Sequence, residues 1–384
     1  MSRKEKVLIF FLLFAAFTIP AIYLTYFNPL VKEYFNGLAP TWFKALVEFI
    51  YPRMATERNR FPVSFFEEKA LQVTVRISFV LSAFAVFFFL KSKFISFRKF
   101  TLQFFNGHTD EHQVSILRIL FYSSLLYFSL EFYNDLLVVS SIKAFFKPVF
   151  LLKVTGLGFP SDSLGLILYV ILLLSSIFCI LNIYPVLSSG IAILTFIYFQ
   201  AVFFSFEKID HGYTTLNYAG LVMPFLLYQQ KKNVNPKSLL LPDWPLQLIR
   251  LSLSLCYLLA GLEKLFISKG AWLSPVTFKS YIYLHQAPLG MHILNYPLLC
   301  SLLPLAAMIF QLGFISILWN EKLKWIFLPS GILFHIGTVM LFGISSIINP
   351  WIFTYIFFIR WSEIKPLKGL FKSVDHLFKR GIPQ

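Results

Sequence analysis

Glu263 and Lys264 are adjacent charged residues inside a long apolar run of the chain. An ionisable group within a membrane-spanning helix costs about 2.5 to 3.5 kcal/mol on insertion scales, so such groups usually face a cavity and carry function. A substrate site is therefore the first hypothesis for Lys264. The alternative is a lysine close to the helix end, whose amine reaches the lipid headgroups while its stem stays in the apolar region.

The residues that precede Lys264 form a polar stripe. Arg250, Ser254, Tyr257, Gly261 and Lys264 recur at spacings of four, three, four and three. Side chains at these spacings share one face of a helix. The glycine leaves a gap in that face through which backbone or ligand can approach closely. The neighbouring glutamate lies about 100° away around the axis, so it faces elsewhere.

A second polar stripe follows Asp210. His211, Thr215 and Tyr218 have i, i+4, i+7 spacing, and Thr214 lies beside them. At about 1.5 Å per residue from the basic end of each helix, this histidine and Lys264 both fall in the outer part of the bilayer. We therefore expect the two to meet. The alternative is an interfacial His211 paired with Asp210.

A third stripe contains His335, Thr338 and Ser345 or Ser346. This histidine belongs to the cavity lining if the three stripes converge, but a single histidine on an apolar helix often bonds a neighbouring helix instead. Arg118 and Arg250 lie near helix ends and are interpreted as structural anchors.

Composition defines the broad class of protein. Hydrophobic residues make up 57% of the 384 residues and charged residues 14%, and the mean hydropathy is +0.71. An ordinary soluble domain has roughly 25% charged residues. The sequence therefore predicts an all-α, multi-pass integral membrane bundle. The net charge of +16 comes from short basic segments between apolar runs, which report orientation rather than nucleic-acid binding. The three cysteines have no metal-ligand spacing, and neither a metal nor a nucleotide is expected.

Ten apolar runs have roughly the length that spans a bilayer. They start near Val7, Val73, Val114, Leu164, Val186, Leu216, Leu246, Leu298, Trp325 and Pro350. The count is nine if the last two form one re-entrant unit at Asn349-Pro350. The basic connections place both termini in the cytoplasm. Residues 29–69 and 142–154 are predicted to form amphipathic segments along the outer surface.

Four segments of the chain resemble the membrane domain shared by vitamin K-dependent gamma-carboxylase and the bacterial proteins called HTTM. They are Leu117-Arg118-Ile119-Leu120-Phe121, Asp210-His211-Gly212-Tyr213, Tyr257-Leu258-Leu259-Ala260-Gly261-Leu262-Glu263-Lys264-Leu265 and Leu333-Phe334-His335. The resemblance covers residues 113–361. It divides the single membrane domain into two N-terminal spans with the outer segment (1–112), a carboxylase-like core (113–361) and a basic cytoplasmic tail (362–384). The bacterial members imply a location in the cytoplasmic membrane.

The resemblance implies a specific chemistry. The lysine matching Lys264 is held to deprotonate reduced vitamin K, and the histidine matching His211 lies in the same pocket. A lysine acts as a base only as the neutral amine, a form that desolvation favours. The chain departs from the family at Asp210, where the family has an amide, and at Tyr122, where it usually has a glycine. A carboxylate beside His211 would favour the imidazolium.

We therefore expect a carboxylase-like membrane enzyme that acts on a quinol, such as reduced vitamin K, or on another lipid-soluble substrate. Lys264 would be the general base and His211 its partner, in an outward-facing cavity surrounded by membrane lipids. The residues expected to line this cavity are Asp210, Thr214, Thr215, Tyr218, Tyr257, Gly261, Glu263 and His335. The alternative is a non-enzymatic lipid-binding protein or transporter that uses the same cavity. The longest outer segments are about forty and thirty residues, shorter than the fifty or more of an independent domain. Carboxylation of protein glutamates would thus need a partner subunit that supplies a docking surface.

Overall fold

The computed structural model describes residues 2–51, 54, 59–206, 211–232, 240–344 and 348–364. Asp210, Ser345 and Ser346, and the predicted basic tail from residue 365 onward, lie outside the described residues.

Helices dominate the described ranges. The first eight are α1 (Arg3–Ile22), α2 (Asn28–Phe35), α3 (Thr41–Ile50), α4 (Val63–Lys93), α5 (Ile95–Phe105), α6 (Glu111–Ser129), α7 (Phe132–Ser141) and α8 (Phe150–Thr155). The others are α9 (Asp162–Ile180), α10 (Pro185–Phe203), α11 (Thr214–Lys232), α12 (Trp244–Leu262), α13 (Pro275–His285), α14 (Pro288–Ile293), α15 (Pro297–Gly313), α16 (Lys324–Phe342) and α17 (Pro350–Phe353). Two short strands, β1 (His108–Asp110) and β2 (Leu240–Pro242), complete the set.

Eight helical stretches in the described part of the chain are long and apolar enough to cross a membrane. They are Arg3–Phe35, Val63–Lys93, Glu111–Ser141, Asp162–Ile180, Pro185–Phe203, Trp244–Ile267, Pro297–Leu318 and Glu321–Phe342. The predicted all-helical, multi-pass integral membrane protein is thereby confirmed.

The two remaining predicted runs differ from these eight. The sixth run forms α11, a 19-residue helix whose last turn carries Lys231 and Lys232 and which is much less apolar than its neighbours. The run after Pro350 forms the four-residue α17 and a 3-10 helix, Thr354–Phe358, rather than one long helix.

The chain divides into two compact units. The first contains residues 1–105, 141–159 and 201–208. In this unit α1 packs along α4. Ser2 and Glu5 form a capping box that starts α1, in which each side chain accepts a hydrogen bond from the other residue's backbone N–H. The sequence predicted a second span that starts near Val73, but α4 starts ten residues earlier, at Val63 directly after Pro62, and the charged residues between these positions continue the helix.

The predicted outer segment 29–69 forms most of α2, all of α3 and the first turns of α4. Its buried cluster joins Tyr34, Ala39 and Phe43. In helix α3, Phe43 is buried while Trp42 and Ile50 are exposed. The second predicted amphipathic segment, 142–154, forms only a 3-10 turn and the six-residue α8.

The second unit contains residues 106–140, 160–200 and 209–384. Helix α6 is its most enclosed element, because residues on all of its faces are buried. It packs against α9 and α11, and α12 packs against α11 and α15. Strands β1 and β2 pair antiparallel, with Thr109 opposite Leu241. The connections before α6 and before α12 therefore lie at the same end of this unit.

Candidate functional site

Lys264 lies in a π-helical turn, Glu263–Ile267, that extends α12. Such turns are rare and occur frequently at functional sites. Its side chain is half-buried, and its amine Nζ donates a hydrogen bond of 3.0 Å to Oε1 of Gln311 on α15. The same amine lies 5.5 Å from the ring centre of Trp272 and 5.8 Å from that of Phe334. The amine is thus held between two aromatic rings and a neutral amide.

Gly261 explains how α15 comes close enough to supply that amide. A Cβ atom at Gly261 would lie 2.8 Å from Cδ2 of Leu312 and 3.2 Å from Cβ of Gln311. The predicted gap in the stripe is therefore filled by a neighbouring helix. Gln311 itself is only 3% exposed.

No carboxylate forms an ion pair with Lys264 within the residues that the structure describes. Glu263 is exposed on another side of the turn, as the helical geometry predicted. The groups in direct contact with the amine of Lys264 are therefore an amide dipole and two aromatic rings.

A chain of three buried polar side chains lies deeper along the same face of α12. The hydroxyl of Tyr257 is 2.7 Å from Nε2 of His335 and 2.7 Å from the hydroxyl of Tyr355. The exposed fractions of the three residues are 2%, 8% and 5%. Gly331 makes room for this arrangement, because a Cβ atom there would overlap the hydroxyl of Tyr355.

Trp351 connects these three side chains to His211, the histidine of the second polar stripe. Its indole Nε1 donates a hydrogen bond of 3.2 Å to the carbonyl oxygen of His211. Its ring centre lies 5.0 Å from that of Tyr257 and 5.8 Å from that of His335. The imidazole of His211 meets the indole edge to face, with ring centres 6.4 Å apart.

The predicted hydrogen bond between His211 and Lys264 is not part of this arrangement. In the described residues the amine bonds Gln311, while His211 is exposed beside Trp351. The three stripes do converge in part, since Tyr257 on α12 meets His335 on α16. The second stripe joins this arrangement through the backbone carbonyl oxygen of His211, which accepts a hydrogen bond from Trp351, and not through a bond from the imidazole to Lys264.

The other residues of the second stripe have separate environments. Thr214 is half-buried and its backbone N–H donates to the carbonyl oxygen of His211. Thr215 is buried, and its hydroxyl has no hydrogen-bond partner among the described residues. Tyr218 is 45% exposed. The hydroxyl of Ser254, on the stripe of α12, is buried and likewise without a described partner.

The two arginines interpreted as anchors bind backbone carbonyl groups. Arg118 is 3% exposed and donates through Nη1 to the carbonyl oxygens of Cys179 and Ile180, at the end of α9. Arg250 donates through Nε to the carbonyl oxygen of Phe357 at 2.7 Å. Both contacts satisfy carbonyl groups at the ends of helical segments.

Sequence reasoning missed Gln311, Trp272, Trp351 and Tyr355. Gln311 is an amide inside an otherwise apolar run, and polar side chains at such positions bond neighbouring helices. That signal could have identified it as a partner for Lys264. The two tryptophans and the tyrosine lie in short 3-10 or α-helical segments, and no periodic pattern marks them.

The fold and this site define a multi-pass helical membrane protein with a buried, hydrogen-bonded polar centre. The described ranges contain no group of three or more His, Cys, Asp or Glu side chains placed to share a metal ion. Comparison of the chain with models of protein families, with curated proteins and with solved structures gives no match.

Proposed function

We propose that the protein is a membrane enzyme that acts on a quinol or another lipid-soluble substrate, with Lys264 as the general base. The observation that supports this most is the environment of its amine, which is half-buried between Trp272 and Phe334 and bonded to a neutral amide. An amine without a carboxylate partner is easier to hold neutral, and a base must be neutral.

The surroundings of Lys264 suit a flat molecule that carries a hydroxyl group. Aromatic rings provide offset-stacked or edge-to-face contacts for such a ring system. The amine and the amide of Gln311 provide hydrogen-bonding groups for its oxygen. In this proposal His211 and Trp351 form the outer entrance, and Tyr257 and His335 line the inner wall.

The proposed topology has ten membrane passages, including α11 and a last passage after Pro350, with both termini in the cytoplasm. The basic residues Lys231 and Lys232 at the end of α11 support it. So does the pairing of β1 with β2, because it joins two connections that the charge pattern assigns to the cytoplasm.

The resemblance to the carboxylase family is part of the same proposal. It suggests reduced vitamin K as one candidate substrate, and a partner subunit for any reaction on a protein chain. A lipid-binding protein or transporter could use the same residues but would not need a neutral lysine. The effect of arginine at position 264 therefore separates the two functions.

Native mass spectrometry of the purified protein tests the proposal. We expect wild-type protein to retain a quinone-like or prenyl-lipid molecule and Lys264→Ala to lose it. Lys264→Arg keeps the charge but supplies no neutral base at neutral pH. An enzyme should therefore bind but not convert its ligand in this variant, whereas a binding protein should behave as wild type. Lys279→Ala on α13 is the matched control. Absence of any retained molecule, with Lys264→Ala unchanged in all respects, would contradict the proposal.

A further inference from the structure

Gln311 has a property that a carboxylate at the same position would lack. Its amide ends in an acceptor oxygen and a donor nitrogen, so rotation about its last bond presents either one. Nζ of Lys264 donates to Oε1 at 3.0 Å, as the ammonium does and as the neutral amine also can. A neutral Lys264 has a lone pair that can accept a hydrogen bond from Nε2 of the same amide.

We propose that Gln311 is a positioning residue that partners Lys264 in both of its charge states, so that the lysine can gain and lose a proton without losing its hydrogen bond. This inference rests on the proposed function of Lys264 as a base. A glutamate at position 311 has no donor for the lone pair of the neutral amine and would favour the ammonium, and an apolar residue would bond neither state.

The packing around Gln311 supports this role. The residue is 3% exposed, and Lys264 is the hydrogen-bond partner recorded for its side chain in the described part of the protein. A buried amide without a hydrogen-bond partner lowers the stability of the fold. The bond to Lys264 therefore accounts for a polar residue at this buried position. Gly261 brings α15 to the required distance, since a Cβ atom there would lie 3.2 Å from Cβ of Gln311.

Few other titratable groups lie near this pair. Glu263 belongs to the same π-helical turn and is exposed. On α16, His335 follows Phe334 and bonds Tyr257. Tyr281 packs against Trp272, with ring centres 4.8 Å apart. Helix α15 contributes only Cys300, which is buried against the carbonyl oxygen of Ile293. None of these four titratable groups has a hydrogen bond to the amine of Lys264 in the described residues, whereas Gln311 does.

The test measures the neutral amine directly and needs no substrate. The full-length protein in detergent is treated with phenyl isothiocyanate, an apolar reagent that reacts with neutral amines, over a range of pH. Labelling of Lys264 is quantified by peptide mass spectrometry, and labelling of Lys279 in the same samples is the internal control. The variants are Gln311→Glu and Gln311→Met, which keep approximately the length of the side chain.

We expect the pH of half-maximal labelling of Lys264 to be highest in Gln311→Glu, intermediate in wild type and lowest in Gln311→Met, because an amide bonds the ammonium more strongly than it bonds the neutral amine. The carboxylate should reduce labelling at a given pH by about tenfold, which corresponds to about one pH unit. The midpoint of Lys279 should stay constant in all three proteins. If Gln311→Glu does not fold, the comparison of wild type with Gln311→Met still decides the question.

Coincident midpoints of Lys264 in wild type and in whichever variants fold would overturn the inference. That outcome would leave the proposed function standing if Lys264→Ala still abolished ligand retention or turnover. Ordered midpoints without any ligand or turnover would instead support the role of Gln311 and contradict the function proposed for Lys264.

Discussion

Replacing Tyr257 by phenylalanine tests the buried chain of hydroxyl and imidazole groups. The change removes one oxygen and keeps the ring contacts with Phe314 and Trp351, whose ring centres lie at 4.6 and 5.0 Å. Both His335 and Tyr355 then lose the partner that the structure gives them at 2.7 Å. The effect therefore reports hydrogen bonding rather than packing.

The expected size follows from the number of bonds. A hydrogen bond between helices in a membrane contributes about 0.6 kcal/mol on average and about 1.7 kcal/mol at most. Tyr257→Phe breaks two such bonds and should lower the free energy of unfolding by about 1 to 3 kcal/mol. Tyr355→Phe breaks only one and should cost about 0.6 to 1.7 kcal/mol.

The double variant distinguishes a chain from independent contacts. Once the hydroxyl of Tyr257 is gone, Tyr355→Phe has no remaining bond to that residue to break. Its cost should fall close to zero in the Tyr257→Phe background, which is a coupling energy of about 0.6 to 1.7 kcal/mol. Unfolding by sodium dodecyl sulfate in mixed micelles, followed by tryptophan fluorescence, measures these differences. Tyr283→Phe, at a position that is 59% exposed, is the control. Equal costs of Tyr355→Phe in both backgrounds would refute the reasoning.

Two further predictions follow from the close contacts. Gly331→Ala should displace the hydroxyl of Tyr355 and lower the midpoint of the same unfolding transition. Its control is Gly337→Ala on the same helix, which meets no atom within 4 Å and should be neutral or stabilising by up to about 1 kcal/mol. A loss of stability in both variants would contradict the contact between position 331 and Tyr355. Cysteines at the exposed positions Asn106 and Ala271 should react with an impermeant maleimide from opposite sides of the membrane, and reaction of both from one side would disprove the proposed topology.

The sequence was a good guide to the helices and a partial guide to the site. The polar face of α12 and the histidine on α16 could be predicted because a period of 3.6 residues places side chains in rows. Tyr257 and His335 do meet. The spacing of residues along one helix does not indicate which neighbouring helix packs against a glycine in it. Gly261 therefore did not identify Gln311 as the partner of Lys264.

The element boundaries were harder to predict where polar residues continue a helix. Residues before Val73 read as a surface segment because of their charges, yet α4 starts at Val63. The run after Pro350 read as a span because it is apolar, but its helical pieces are short. Hydropathy reports the environment of a segment, whereas its length as one helix depends on local caps and on packing against neighbours.

The contact of Arg118 with the end of α9 has a consequence for how the chain enters the membrane. An arginine at the centre of a spanning helix costs about 2.5 to 3.5 kcal/mol when it is inserted alone, and one nearer the helix end, such as Arg118, costs less but is still unfavourable. Its partners, the carbonyl oxygens of Cys179 and Ile180, belong to the next spanning helix in the order of synthesis. Helix α6 therefore reaches its stable state only after α9 has been made, and the two are best regarded as one hairpin that is integrated as a pair. If translation stalled after α6 and before α9, the charge of Arg118 in α6 would have no partner. The translocon would then retain this helix, or quality control would remove the chain.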